Sequence, residues 1–209
     1  MDILLENISK RFGNTLIAKD LSLRINTGER WHIAGPNGRG KSTLMQIIAG
    51  YISPDKGKLS YTLGSETIRV EQVFRHISLS TPYTDLIGDF SLDEQLRFHF
   101  RFKESLYTNS DIDAWLKQAG LDKVRNRSIA QFSSGMKQKL KLILTLCSKA
   151  DAVFLDEPCS NLDVDGRRFY AELSEERLKK YSSSWIVCSN NIRDEHFFCT
   201  HTLDLGTLS

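Results

Sequence analysis

No run of apolar residues in this 209-residue sequence approaches the ~20 needed to cross a bilayer as a helix. The start, Met1-Asp2-Ile3, lacks a basic segment followed by an apolar stretch, so no secretory signal is evident and a cytosolic chain is expected. Charge of one sign is also missing. Lys and Arg number 28 against 26 Asp and Glu, a net charge of +2, which gives no electrostatic case for nucleic acid or for an anionic membrane face. The four cysteines (Cys147, Cys159, Cys188, Cys199) form no C-x-x-C pair, which argues against a metal or redox motif and for reduced, packed thiols. Repeats and low-complexity linkers are absent. At 40% hydrophobic and 26% charged residues, the composition suits one globular unit with an ample core.

What the chain does have is Gly35-Pro36-Asn37-Gly38-Arg39-Gly40-Lys41-Ser42, a G-x-x-x-x-G-K-S phosphate-binding pattern. A run that can be a strand, Glu29 to Ala34, precedes it, and a helical pattern, Thr43 to Ala49, follows. Glycine permits positive φ and close backbone approach, so Gly35 and Gly40 allow a tight turn that aims successive N–H groups at an anion. The following helix adds its unsatisfied N–H groups and positive dipole end. Lys41 would then reach the β- and γ-phosphates of a nucleotide, the Ser42 hydroxyl would ligate Mg²⁺, and Thr43 could donate to an outer phosphate. A second motif is Ala152 to Pro158, an apolar strand ending in two carboxylates. Asp156 is placed to hold Mg²⁺, and Glu157 to polarise the attacking water as general base.

Around these motifs, residues 3–30 show short apolar runs separated by turn residues and are expected to form antiparallel strands. Further strand pieces are expected over 57–79, where Lys58 to Leu63 alternate at period two. From Ser91 to Ala119 the pattern is helical. Ser91 and Glu94 form a capping box, Leu92, Leu96 and Phe100 share a face, and a second start at Ser110 with Asp113 opens a helix ended by Gly120. Arg97 to Phe102 alternate like a strand taken alone; the cap and the longer periodicity favour helix. Helices are expected over 134–149 and from Arg167 to Tyr181, with a last strand from Ser184 to Ser189 before a short tail. This alternation argues for a mostly parallel α/β sheet.

A third motif narrows the family. Phe132-Ser133-Ser134-Gly135-Met136-Lys137-Gln138-Lys139 resembles the signature sequence of ABC-type ATPases, matching at Ser133, Gly135 and Gln138 and departing at Ser134 and Met136. Ser160-Asn161-Leu162-Asp163 is similar to the family's D-loop, Asp55 and Gly57 fit its stretch after the P-loop helix, and Phe12 falls where an aromatic stacks on adenine. The resemblance covers nearly the whole chain. It implies a P-loop NTPase core, an antiparallel β subdomain and an α-helical subdomain near residues 83–150, within a single domain. It also implies a second ATP-binding subunit, so that Ser133 and Gly135 of one subunit face the γ-phosphate held by Lys41 of the other. Lys137, Lys139 and Lys141 are expected to be a solvated helix face.

Two switch residues of the family are missing. Pro82 falls at the position of its glutamine, where Thr81 offers a weak substitute hydroxyl. Asn191 aligns with its histidine and can bond phosphate without carrying a proton. His196 and His201 are expected at the surface, and His32 in packing. ATP and Mg²⁺ binding are therefore expected, with hydrolysis slow or partner-dependent. With no membrane span, a transporter role requires an integral membrane permease subunit, holding this chain at the inner face of the membrane. The segment with Tyr83, Leu86, Ile87 and Phe90 either docks on it or packs on the helical subdomain. The Ser-Ser-Gly-Met signature resembles exporter-type systems, and the compact form resembles the haem exporter ATPases. Two rival readings stay open: a nucleotide-sensing subunit with little turnover, and a soluble non-transport protein of the same family.

Overall fold

The computed structural model describes residues 1–13, 15–190 and 192–206. Two compact units emerge. The first comprises Met1–Ile77, Ala150–Asp156 and the residues from Ser182 on; the second comprises Ser78–Lys149 and Glu157–Tyr181.

In the first unit, β1 (Asp2–Phe12) and β2 (Thr15–Ile25) are two long antiparallel strands, and β4 (Lys56–Leu63) and β5 (Glu66–Ile68) complete a sheet of order β2-β1-β4-β5. The period-two pattern explains it: Ile3, Leu5 and Tyr61 turn the same way and are fully buried, while their sequence neighbours face out. Gly57, at φ 92°, is required here, since a Cβ would lie 2.5 Å from the carbonyl oxygens of Glu6 and Asn7. Part of the expected strand region is instead a 3₁₀ helix, Val70–Arg75.

The second sheet has the order β6-β7-β8-β3-β9, from β6 (Ile77–Ser80), β7 (Ala152–Asp156), β8 (Ser184–Cys188), β3 (Arg30–Ala34) and β9 (His201–Asp204). The pairs β7–β8, β8–β3 and β3–β9 are parallel. β7 and β8 are buried at every position, as strands covered on both faces must be. The strand expected to be last is followed by a short helix, α6 (Arg193–His196), and by β9, which closes one edge of the sheet. His201, Thr202 and Asp204 alternate weakly and carry no apolar run, so the strand is held by its neighbour β3 rather than by its own pattern.

The second unit holds α2 (Leu92–Phe102), α3 (Asn109–Gln118), α4 (Ser134–Cys147) and α5 (Val164–Lys180). The capping box of Ser91 with Glu94 forms as expected. The second start shifts: α2 ends at Phe102 with Lys103 as its C-cap, and α3 opens on a box of Thr108 with Asp111 rather than Ser110 with Asp113. The break lets Leu106 N–H donate to the Cys147 carbonyl at the end of α4 (2.8 Å), a tertiary contact that no local pattern encodes. α5 begins earlier than expected, because the Asp163 carboxylate accepts from Gly166 N–H (2.8 Å) and caps it. The lysines of α4 are not a fully solvated face. Lys139 and Lys141 are half-buried and donate to the carbonyls of Ala119 and Thr81.

α4 has no basic residue in its last turn. Arg177 of α5 supplies the cation, donating through Nη1 to the carbonyls of Leu146 (2.8 Å) and Ser148 (2.6 Å) while 0% exposed. Nearby, His99 Nε2 meets Ser148 Oγ at 2.8 Å, and burial lowers the His99 pKa to about 4. Its folded pKa lies below the 6.5 of a free imidazole, so the unfolded chain binds more protons between those values and stability is lost as pH falls through that window. The cost is about 1.4 kcal/mol for each pH unit across it. Guanidinium titrations from pH 7.5 to 4.5 should show this loss, and His99→Gln should flatten it.

Candidate nucleotide-binding site

β3 ends at Ala34, between β8 and β9, and the chain then turns through the glycine loop into α1 (Lys41–Ile48). Gly35, Gly38 and Gly40 adopt φ of 144°, 75° and 95°. Gly40 is the N-cap of α1 in left-handed conformation, with no side-chain cap and no acidic residue in the first turn. The first N–H groups of the helix therefore have no side-chain cap, the condition under which a helix N-terminus can take an anion.

Lys41 is 5% exposed, and its ammonium donates to Gly35 O (2.8 Å), Pro36 O (3.1 Å) and Asn190 Oδ1 (2.6 Å). Ser42 and Thr43 follow in the first turn, both half-buried. The Arg39 side chain leaves the loop, its Nε donating to Leu205 O (3.1 Å). Beside the loop lies a 580 Å³ cleft lined by Gly35, Pro36, Asn37, Asn190 and Asp204. Asp156 ends β7 and is 2% exposed; the register pairs it with Cys188 of β8, whose thiol reaches the Lys41 carbonyl at 3.5 Å. The phosphate loop and the Asp156 carboxylate thus belong to the same end of one parallel sheet. Phe12, at the end of β1, presents a ring that is 49% exposed, with the Lys10 ammonium 5.1 Å from its centroid.

Asn191 lies outside the described residues. The residue that meets Lys41 is Asn190, which sequence reasoning passed over; the run Ser189-Asn190-Asn191 offers two adjacent amides and no periodicity to choose between them. Of the two expected surface histidines, only His196 departs from expectation. His201 is exposed yet stacks on Trp31, and His196 is half-buried against His32, which is itself 3% exposed. The cysteines are thiols, three of them buried.

In the second unit, Ser133 caps α4, its Oγ accepting from Met136 N–H at 3.2 Å. Gly135 approaches the Asn161 carbonyl so closely that a Cβ would lie 3.0 Å from it. Gln138 Nε2, buried, donates to Pro158 O at 2.8 Å. These contacts surround a 310 Å³ cleft lined by Ser133, Ser134, Gly135, Asn161 and Asp163, so the signature and D-loop segments form one surface. Glu157 opens the second segment of this unit at φ 46°, and Ser160 Oγ donates to its carboxylate at 3.2 Å. A glutamate in left-handed backbone costs on the order of 1–3 kcal/mol, the kind of strain that marks functional positions. Pro82 is exposed in the segment following β6, and Tyr83 beside it is 80% exposed.

A strand, glycine loop and helix joined in one sheet to a second strand ending in carboxylates define a P-loop nucleotide-binding domain. Residues 18–160 match the family model for the ABC transporter, and the chain belongs to that family. It is 34% identical over 170 residues to a spermidine/putrescine import ATP-binding protein of Fusobacterium nucleatum, covering 80% of this chain and 45% of the relative. It is 31% identical over 184 residues to a Nod factor export ATP-binding protein of Cupriavidus pinatubonensis, covering 86% and 55%. The chain therefore spans about half the length of these relatives. A solved ATP-binding subunit of an ABC transporter superposes with a TM-score of 0.81 at 21% identity, over 98% of this chain and 85% of that one, which shows the shared fold.

Proposed function

We propose that this chain binds and hydrolyses ATP as the motor subunit of a transporter, driving a separate membrane subunit. The observation that carries this is the cradle itself: a buried Lys41 in a loop of three positive-φ glycines, opening onto an uncapped helix terminus. Among the described residues, no helix is long and apolar enough to cross a membrane, which supports a separate permease partner at the inner face of the membrane.

In this reading the ammonium of Lys41 exchanges the Gly35 and Pro36 carbonyls for phosphate oxygens, and the loop N–H groups from Gly38 to Thr43 bind the others. Phe12 stacks on the adenine. Mg²⁺ fits the donor set. Among the described residues no three His, Cys, Asp or Glu side chains gather into a cage, and Mg²⁺ is commonly held by one or two carboxylates together with substrate phosphates. Ser42 and Asp156 would supply the protein ligands, and the ion would neutralise charge on the β- and γ-phosphates. Glu157, oriented by Ser160, takes the proton of the attacking water. Ser133 and Gly135 of a second subunit complete the γ-phosphate site, and ATP-driven closure of that pair does the work. The exposed segment with Tyr83 and Ile87 is the surface offered to the membrane subunit.

The relatives include one named for import and one for export, at similar identity, so the exporter reading rests on the Ser-Ser-Gly-Met signature. Pro82, which cannot ligate metal, and Asn191, an amide aligned with the family's histidine that cannot carry a proton, favour slow turnover by the isolated chain. Phosphate release from the purified chain with Mg-ATP, repeated with its membrane subunit, tests this. Binding of ATP, slow basal turnover and acceleration by the membrane subunit are expected. Failure to bind ATP would defeat the reading; ATP-dependent pairing without turnover, even with that subunit, would make the chain a nucleotide sensor.

A further inference from the structure

Phe12 stands at the end of β1, and Asp55 reaches that end from the residue before β4. The register between β1 and β4 runs out at Ser9, opposite Lys56, while the pairing with β2 continues to Phe12, opposite Thr15. Lys10, Arg11 and Phe12 therefore extend past the β4 ladder, with backbone groups that a longer β4 would have met. Asp55 takes the place of that missing strand. Its N–H donates to the Ser9 carbonyl at 2.9 Å, and its Oδ2 accepts from the Arg11 N–H at 2.9 Å, so a side chain carries the ladder onward. Its other oxygen accepts from the Lys10 ammonium at 2.7 Å. These two donors hold the Asp55 carboxyl below the ordinary carboxylate range.

Lys10 and Phe12 are two residues apart in a strand and so share a face. The Lys10 ammonium lies 5.1 Å from the centroid of the Phe12 ring, within range of a cation–π contact. An exposed ion pair alone contributes little, because two long side chains must be ordered to make it. Here the carboxylate is already fixed to the backbone of β1, and the Lys10 side chain is only 14% exposed, so the cation is held over the ring. We propose that Asp55 and Lys10 are positioning residues for the adenine: the carboxylate fixes the end of β1 and the ammonium, and the ammonium keeps the Phe12 ring in one orientation for a base to stack on. A ring ordered in advance loses less freedom when the base arrives. This rests on the reading of Phe12 as the adenine-stacking ring.

The test is equilibrium binding of ATP and of inorganic tripolyphosphate, which has no base, to Asp55→Ala, Lys10→Met, Phe12→Ala and the Asp55→Ala/Phe12→Ala pair. Tripolyphosphate reads the phosphate loop and the general field of the protein, so the ratio of ATP to tripolyphosphate affinity isolates the base. That ratio should fall about tenfold in Phe12→Ala and about two- to fivefold in Asp55→Ala and in Lys10→Met. The two changes shift the charge of the protein in opposite directions, so a purely electrostatic effect on ATP would move them apart; a positioning effect moves them together. Adding Asp55→Ala to Phe12→Ala should lower the ratio no further, since there is no ring left to orient. Asp55→Asn, which keeps an acceptor for the Arg11 N–H and loses the ion pair, should also lower the ratio and serves where alanine prevents folding. An unchanged ratio in the Asp55 variants or in Lys10→Met, or an added loss in the double variant, would overturn the positioning role. An unchanged ratio in Phe12→Ala would remove the stacking ring and the positioning role together, leaving the phosphate loop intact. A wild-type chain that binds neither ligand would overturn the nucleotide site itself.

Discussion

Glu157→Gln is expected to lower ATP turnover by about 10²- to 10⁴-fold, the span of a lost general base, while ATP binding stays intact. Glutamine has the same shape and can still accept from Ser160 Oγ, so the contact seen at 3.2 Å survives and only the proton acceptor is removed. The backbone gives an independent handle. Glu157 sits at φ 46°, a conformation that glycine adopts without cost. Glu157→Gly should therefore raise the unfolding free energy by about 1 kcal/mol while turnover falls as far as in the glutamine variant. Opposite movements of stability and activity at one position would mean that the strain is kept for function. Single-turnover phosphate release, ATP binding and thermal unfolding on the two variants decide it. Brisk hydrolysis by Glu157→Gln would remove Glu157 from the chemistry.

The parts of this molecule legible in its sequence are those where a local physical rule has one outcome. The glycine loop is one, because Gly40 before Lys41 has to turn, and an anion nest follows from the turn. β7 is another, since Ala152 to Leu155 can only be interior. The Ser91–Glu94 box announces α2 because both partners of a reciprocal bond lie three residues apart. Where two outcomes compete locally, tertiary contacts choose. Thr108 with Asp111 and Ser110 with Asp113 are both possible starts for α3; the bond from Leu106 to Cys147 sets where the chain leaves α2, and the first wins. β9 is too polar to declare itself and exists as an edge on β3. The pairing of Lys41 with Asn190 joins residues 149 positions apart. Two adjacent asparagines give no sequence basis for choosing which faces the lysine.

Gly40→Ala is expected to weaken ATP binding by at least about 100-fold, some 2.7 kcal/mol. Two separate penalties fall on the same atom. At φ 95° any side chain is strained, and the Cβ would lie 2.8 Å from Ile17 Cδ1 and 3.0 Å from its Cγ2. Ile17 can turn its outer methyl away, so the second penalty is partly avoidable; the backbone angle is not. The relief route is the departure of Gly40 from left-handed conformation, which re-aims the N–H groups at the start of α1 and opens the loop around Lys41. Gly38→Ala separates the two penalties, because Gly38 has φ 75° but a Cβ there would meet nothing within 4 Å. It carries strain without the clash and should lose less affinity. Adding Ile17→Ala to Gly40→Ala removes the clash and leaves the strain, so titration with a fluorescent ATP analogue should show partial recovery. Full recovery would mean that contact with β2, rather than backbone conformation, is what requires glycine at this position. No loss in Gly40→Ala itself would mean that the phosphates do not sit in this loop.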